Sequence, residues 1–106
     1  MISLKNKCNV KKSLKLLGLK EKDWYFNEED NCLQKVYNNV DVEKNKVIIS
    51  FLFYLSDVYY HHPIIKWNQK MLMVKMKTND FNFPSTRDLK FICHLEKLIS
   101  NYSNMC

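Results

Sequence analysis

The sequence predicts an α+β domain with the element order α-β-β-α-β-β-α, a four-stranded antiparallel sheet carrying its helices on one face. Three observations predict it. Apolar residues recur at helical spacing near both ends and in the middle of the chain. Between those segments lie two pairs of short aromatic and aliphatic runs, each pair joined by turn-forming residues. With one glycine and two prolines, nothing linker-like divides the 106 residues. Residues 1–106 therefore read as a single domain of ordinary size.

Each element has its own signal. Val10, Leu14 and Leu17 place a helix over residues 9–17, and Gly18 is its stop. Residues 24–26 and 33–37 are strand-like, and the cluster Asn27-Glu28-Glu29-Asp30-Asn31 between them signals a hairpin. Asp41 is an N-cap for a helix running to about Tyr60, about 28 Å long at 1.5 Å per residue. Val47, Ile48, Phe51, Leu52, Leu55, Val58 and Tyr59 keep its helical spacing, but Ile49, Phe53, Tyr54 and Tyr60 carry apolar surface around the other faces. One sheet covers one stripe of a helix, so this helix needs a second partner, and in so short a chain that partner is another subunit. A homo-oligomer is expected, a dimer or a tetramer.

Pro63 ends the long helix in this reading. Residues 64–67 form a strand, Asn68-Gln69-Lys70 its turn, and residues 71–78 the returning strand, in which Leu72, Val74 and Met76 alternate with Met73, Lys75 and Lys77. Ser85 caps the last helix, with Asp88 where a capping-box carboxylate sits. Leu89, Ile92, Leu95 and Ile99 form its buried stripe, with Glu96 and Lys97 facing outward.

Composition excludes several classes. Hydrophobic residues make up 46% and charged ones 26%, the proportions of a folded globule rather than a disordered chain. The net charge of +6 permits an anionic partner. Its distribution argues against direct nucleic-acid binding, because the lysines are scattered and Arg87 is the sole arginine. The absence of alanine and the twelve asparagines point to an A/T-rich coding bias. Cys8, Cys32, Cys93 and Cys106 include no Cys-x-x-Cys pair, so no zinc knuckle or redox motif is expected. The N-terminus lacks the apolar core of a signal peptide, and residues 47–55 are about half a membrane span. A reduced, soluble protein without a membrane role is expected.

The segment Ser56-Asp57-Val58-Tyr59-Tyr60-His61-His62-Pro63 carries the most chemistry. It holds two of the three histidines, adjacent, at a helix C-terminus. Asp57 lies four residues before His61, so on a helix the two share a face. A carboxylate and the negative end of the helix dipole both favour protonated imidazole. Adjacent residues project about 100° apart on a helix, so the two histidines differ in environment. Three readings stand: an acid/base site, a pair of surface histidines capping the helix, and a metal site using Asp57, His61 and His62. The spacing matches no zinc motif, and His94 is distant in sequence.

At these residues the chain resembles the pterin-4a-carbinolamine dehydratases, also known as dimerisation cofactors of a homeodomain transcription factor. The family pattern is an acidic or similar residue, three positions, then His-His-Pro or His-Asn-Pro, which Asp57 to Pro63 fits. Lys77-Thr78-Asn79-Asp80 stands where the family has a Thr-His step at a strand end, and Ser85-Thr86-Arg87-Asp88-Leu89 where it has an Arg-Asp step opening the last helix. Trp24 falls at the family's pocket tryptophan. The likeness runs without gaps from about Trp24 to Glu96. Two positions depart from the pattern: Asn79 replaces the usual third histidine, and Gln69 the aromatic expected six residues after the proline, although Trp67 lies two positions earlier.

The resemblance implies dehydration of 4a-hydroxytetrahydrobiopterin to quinonoid dihydropterin and water, a hydro-lyase reaction of tetrahydrobiopterin recycling. It implies no metal and no organic cofactor. His62 is then the principal acid/base, His61 assists or orients, and Asn79 hydrogen-bonds the leaving hydroxyl or the ring. Trp24 forms an apolar wall, while Tyr60, Lys77, Thr78 and Asp80 contribute mainly backbone groups. Asp57 and Asp88 orient histidines, with a capping box as the equal reading of Asp88. Asparagine takes up no proton at neutral pH, so Asn79 weakens the activity expected. The alternative is a pterin-binding or protein-interaction module with a protein partner, like the family's transcription-factor role. The resemblance further implies a tetramer with the long helices bundled centrally and the sheets joined at their edges, in the cytoplasm or the nucleus.

Overall fold

Side-chain caps start the first two helices. The computed structural model describes residues 1–38 and 41–105; Cys106 lies outside them. Helix α1 (Lys7–Leu16) starts at Asn6, whose side chain accepts from Asn9 N. Helix α2 (Val42–Tyr59) starts at Asp41, whose carboxylate accepts from Glu43 N and Lys44 N. These are orphan amides that a helix cannot satisfy by itself. Between them lies a hairpin, β1 (Tyr25–Asn27) and β2 (Cys32–Tyr37). Its turn closes on Asn27, whose Oδ1 accepts from Glu29 N at 3.0 Å and Asp30 N at 3.3 Å. A second hairpin, β3 (Ile64–Trp67) and β4 (Leu72–Met76), precedes helix α3 (Thr86–Met105). A short 3-10 turn, Lys20–Lys22, is the one element absent from the sequence expectation.

The sheet is antiparallel throughout, in the order β1-β2-β4-β3. Its register sorts the side chains into two faces. Leu33 stands opposite Met76, Lys35 opposite Val74, and Tyr37 opposite Leu72. With Phe26 and Ile65 these line the face that packs on the helices. Val10 and Leu14 of α1, Ile48, Leu52 and Leu55 of α2, and Phe91, Ile92 and Leu95 of α3 complete one core. Gln34, Lys75 and Ile64 align on the opposite, helix-free face. The expected α+β class, element order and one-sided helix layer are those of the structure.

Several local expectations need correction. Leu17 is exposed, because α1 stops at Leu16. Gly18 turns the chain with φ 68°, and Leu19 is buried in its stead, its N–H bonded to Leu14 O at 2.9 Å. Helix α2 ends at Tyr59, four residues before Pro63. Tyr60 adopts the left-handed region at φ 50°, and its N–H returns to Ser56 O. The returning strand ends at Met76, and Thr78 pairs across the following turn with Phe83. Glu96 faces inward, where its Oε1 accepts from Trp24 Nε1 at 3.1 Å and Lys35 Nζ at 2.6 Å. Two donors on the sheet side stabilise a carboxylate that periodicity alone placed in water.

Helix α2 buries one stripe only. Ile48, Leu52 and Leu55 are in the core, Phe51 and Tyr59 lie half-buried against it, and Phe53, Tyr54 and Val58 are exposed in the single chain. No helix among the described residues is long and apolar enough to cross a membrane. Leu52→Ala, at a position with no exposed surface, is expected to cost about 2–5 kcal/mol of stability, measured by urea unfolding.

Candidate active site

The site begins with a buried carboxylate. Asp88 lies in the first turn of α3 and is 0% exposed. Its Oδ2 accepts from Ser85 N at 2.8 Å, while Ser85 Oγ accepts from Arg87 N at 3.2 Å. Those reciprocal bonds make a capping box with aspartate in the usual place of glutamate. The same Oδ2 accepts from Thr78 Oγ1 at 2.8 Å. Thr78 spends its only hydroxyl proton there, so Ser85 Oγ donates to Thr78 Oγ1 across 2.5 Å. Oδ1 is left for His61, whose Nε2 lies 2.5 Å away. An ionised carboxylate only accepts, so Nε2 carries the proton of this contact and Nδ1 is the acceptor in the neutral ring. Asp88 thus caps α3 and contacts His61 with the same carboxylate.

Three segments bring these groups together. The left-handed turn at Tyr60 swings the chain off α2, and His61 N bonds Ser56 O at 3.1 Å. The end of β4 and its turn deliver Thr78, whose N–H bonds Phe83 O at 3.1 Å. The N-terminal segment straps Ser85 from both sides: Leu4 N bonds Pro84 O at 3.0 Å, and Thr86 N bonds Ile2 O at 2.9 Å. The Thr86 hydroxyl accepts from Ile2 N at 3.0 Å.

His62 faces the other way. It is exposed on the wall of a cleft of about 340 Å³ that it shares with Asn79, Ile64 and Cys32. Asp30, Lys66, Lys75 and Lys77 also line it. Lys75 Nζ donates to Asp30 Oδ2 at 2.5 Å, which lowers the Asp30 pKa and raises that of Lys75. Burial pushes the Cys32 thiol up. Among the described residues no group of three or more His, Cys, Asp or Glu is arranged to hold a metal ion.

The structure joins His61, Thr78 and Asp88 in one network and sets His62, Asn79 and Lys77 on one cleft. Asp80 is exposed beyond Asn79 and does not line the cleft. Tyr60 is 87% exposed at the turn. Two expectations fail. Asp57 is exposed on α2, and the carboxylate that meets His61 is Asp88, because the helix ends before His61 and the shared helical face does not exist. Trp24 lines a separate groove beside α1 and is 1% exposed, its indole N–H held by Glu96. Ser85, Cys32 and Asp30 enter the site without having been singled out as functional. The hairpin turn at 27–31 and the alternation along 71–78 are visible in the sequence, but the β2–β4 pairing that brings Asp30 to Lys75 is not.

No protein-family model matches the sequence, and no curated protein matches it. Among solved structures the chain is similar to the crystal structure of a transcriptional coactivator/pterin dehydratase from Brucella melitensis. The TM-score is 0.77 at 13% sequence identity, covering 89% of this chain and 96% of that one. At this identity the likeness is one of fold.

Removing the Asp88 carboxylate leaves Ser85 N and His61 Nε2 without their acceptor and leaves the Thr78 hydroxyl only Ser85 Oγ. Asp88→Ala is expected to cost about 3–5 kcal/mol, and the isosteric Asp88→Asn less, in paired denaturation curves.

Proposed function

We propose that this chain is a pterin-4a-carbinolamine dehydratase acting by histidine acid/base chemistry. The observation that carries the reading is the pairing of a cleft-facing His62 and Asn79 with a buried, oriented His61–Asp88 contact at the same end of the sheet. The fold shared with the Brucella melitensis protein supports it.

The reaction breaks the bond from C4a to its hydroxyl, which leaves as water, and removes a proton from a ring nitrogen. An acid must protonate the departing oxygen and a base must take the N–H proton, both near neutral pH. Imidazole does either task there. His62, open to the cleft, is the catalytic residue. His61 is a positioning residue: with Nε2 tied to Asp88, it fixes the backbone that presents His62. Asn79 binds by hydrogen bonds and carries no proton. Lys77, Thr78 and Asp80 frame that binding segment through their backbone, and Tyr60 sets the turn before the histidines. Neither Trp24 nor Asp57 has a part in this mechanism.

A second reading, an interaction module with little catalysis, is favoured by the exposed apolar face of α2, where Phe53 is 63% and Tyr54 56% exposed. On either reading that face packs against another copy of the chain, since contiguous apolar surface of this kind marks an interface. Light scattering is expected to show an oligomer at micromolar protein, and Phe53→Asp with Tyr54→Asp to shift it towards monomer; a wild-type monomer contradicts the assembly.

The purified chain is expected to speed decay of the ultraviolet signal of a 4a-hydroxytetrahydropterin. His62→Ala should lose most of that acceleration, about 10²-fold or more. Asn79→His should raise the rate; a variant no faster than wild type shows that Asn79 does not limit turnover. Wild-type protein that leaves the decay unchanged from buffer favours the interaction module.

A further inference from the structure

Three lysines converge on the His62 cleft, and a neutral pterin has no use for them. Lys66 comes from β3, Lys75 from β4, and Lys77 from the segment just beyond it. The register sets Ile64 opposite Lys75 and Lys66 opposite Met73, which puts both lysines on the helix-free face. Asp30 is the one carboxylate among the described residues lining the cleft. It is already engaged: its Oδ2 takes Lys75 at 2.5 Å, and its backbone carbonyl takes Lys77 at 3.3 Å. Lys77 also donates to Asn82 Oδ1 at 2.8 Å. The Lys66 ammonium makes no hydrogen bond or ion pair among the described residues, and its charge acts on Asp30 only through space. Three ammonium groups against one carboxylate leave two positive charges uncompensated in a cleft of about 340 Å³.

Resting on the dehydratase reading, we propose that the cleft takes a pterin whose ring substituent is a phosphate ester, with Lys66 as the residue that meets the phosphate. Lysine ammonium groups are compact point charges that suit a tetrahedral oxyanion approached from several sides. A cleft of one sign also concentrates an oppositely charged ligand before contact. The fixed Asp30–Lys75 pair holds Lys75 in place, so the phosphate meets an arrangement that is already ordered. Lys66 is exposed on an edge strand, so its substitution leaves the core untouched.

The test is a titration of the intact protein with three pterins, 6-hydroxymethylpterin, its phosphate monoester and 6-carboxypterin, read by pterin fluorescence at low and high salt. The phosphate ester is expected to bind at least about tenfold more tightly than the alcohol at low salt. The preference should shrink at high salt, as screening requires. Lys66→Ala should reduce it and Lys66→Glu abolish it, with the affinity for the alcohol unchanged. Equal binding of ester and alcohol overturns the proposal while leaving the dehydratase reading intact. Binding of 6-carboxypterin as tight as the ester overturns the choice of phosphate. A preference that survives Lys66→Glu overturns the role of Lys66. Failure of all three pterins to bind overturns the proposal. The rate assay on an unphosphorylated 4a-hydroxytetrahydropterin tests the dehydratase reading separately.

Discussion

The buried carboxylate of Asp88 is the constraint on which the candidate site depends. Its two oxygens take hydrogen bonds from the N-cap of α3, the threonine beyond β4 and the histidine beyond α2. These groups come from three separate parts of the chain and meet on one carboxylate. A carboxylate with no exposed surface is tolerable only when donors surround it, so the groups hold one another in place. The N-terminal strap reaches the same point from outside, bonding Pro84 and Thr86 on either side of Ser85. Local capping, tertiary packing and histidine orientation are therefore one interaction.

The alternation of strand side chains separates structure from chemistry. On one face Leu33, Val74 and Met76 meet all three helices; on the other Gln34, Lys75 and Ile64 face away from them. The cleft forms where that second face meets the ends of strands, next to the β1–β2 turn and the residues flanking β3 and β4. Loop-borne polar groups thus stand on a rigid sheet whose stability comes from its opposite side. Helix α2 spans both roles. Its inner stripe seals the core, its last turn leads into the histidines, and its outer stripe leaves Phe53 and Tyr54 uncovered in a single chain.

Much of the site was legible as separate pieces. The His-His-Pro step and the Ser85-to-Asp88 box stand out locally, because turns and caps are short-range features with strong residue preferences, while Thr78 and Asn79 stand out only through the family resemblance. Their pairing was not legible. Asp57 offered His61 a carboxylate at helical spacing, but a left-handed Tyr60 ended the helix first, and a residue with φ 50° is not predictable from tyrosine's usual preferences. Trp24 matched a pocket position by spacing, yet its indole was captured by Glu96, a residue 72 positions away.

By itself the sequence determined the class, the order of elements and which face of the 71–78 strand is buried. Those follow from periodicity, caps and turn residues within a few positions of one another. Only the tertiary structure decided that Glu96 points inward, that Asp88 rather than Asp57 holds His61, and that three dispersed lysines share one cleft. A charged residue's position is settled by what it meets once the chain has closed, and its neighbours in sequence carry no record of that partner.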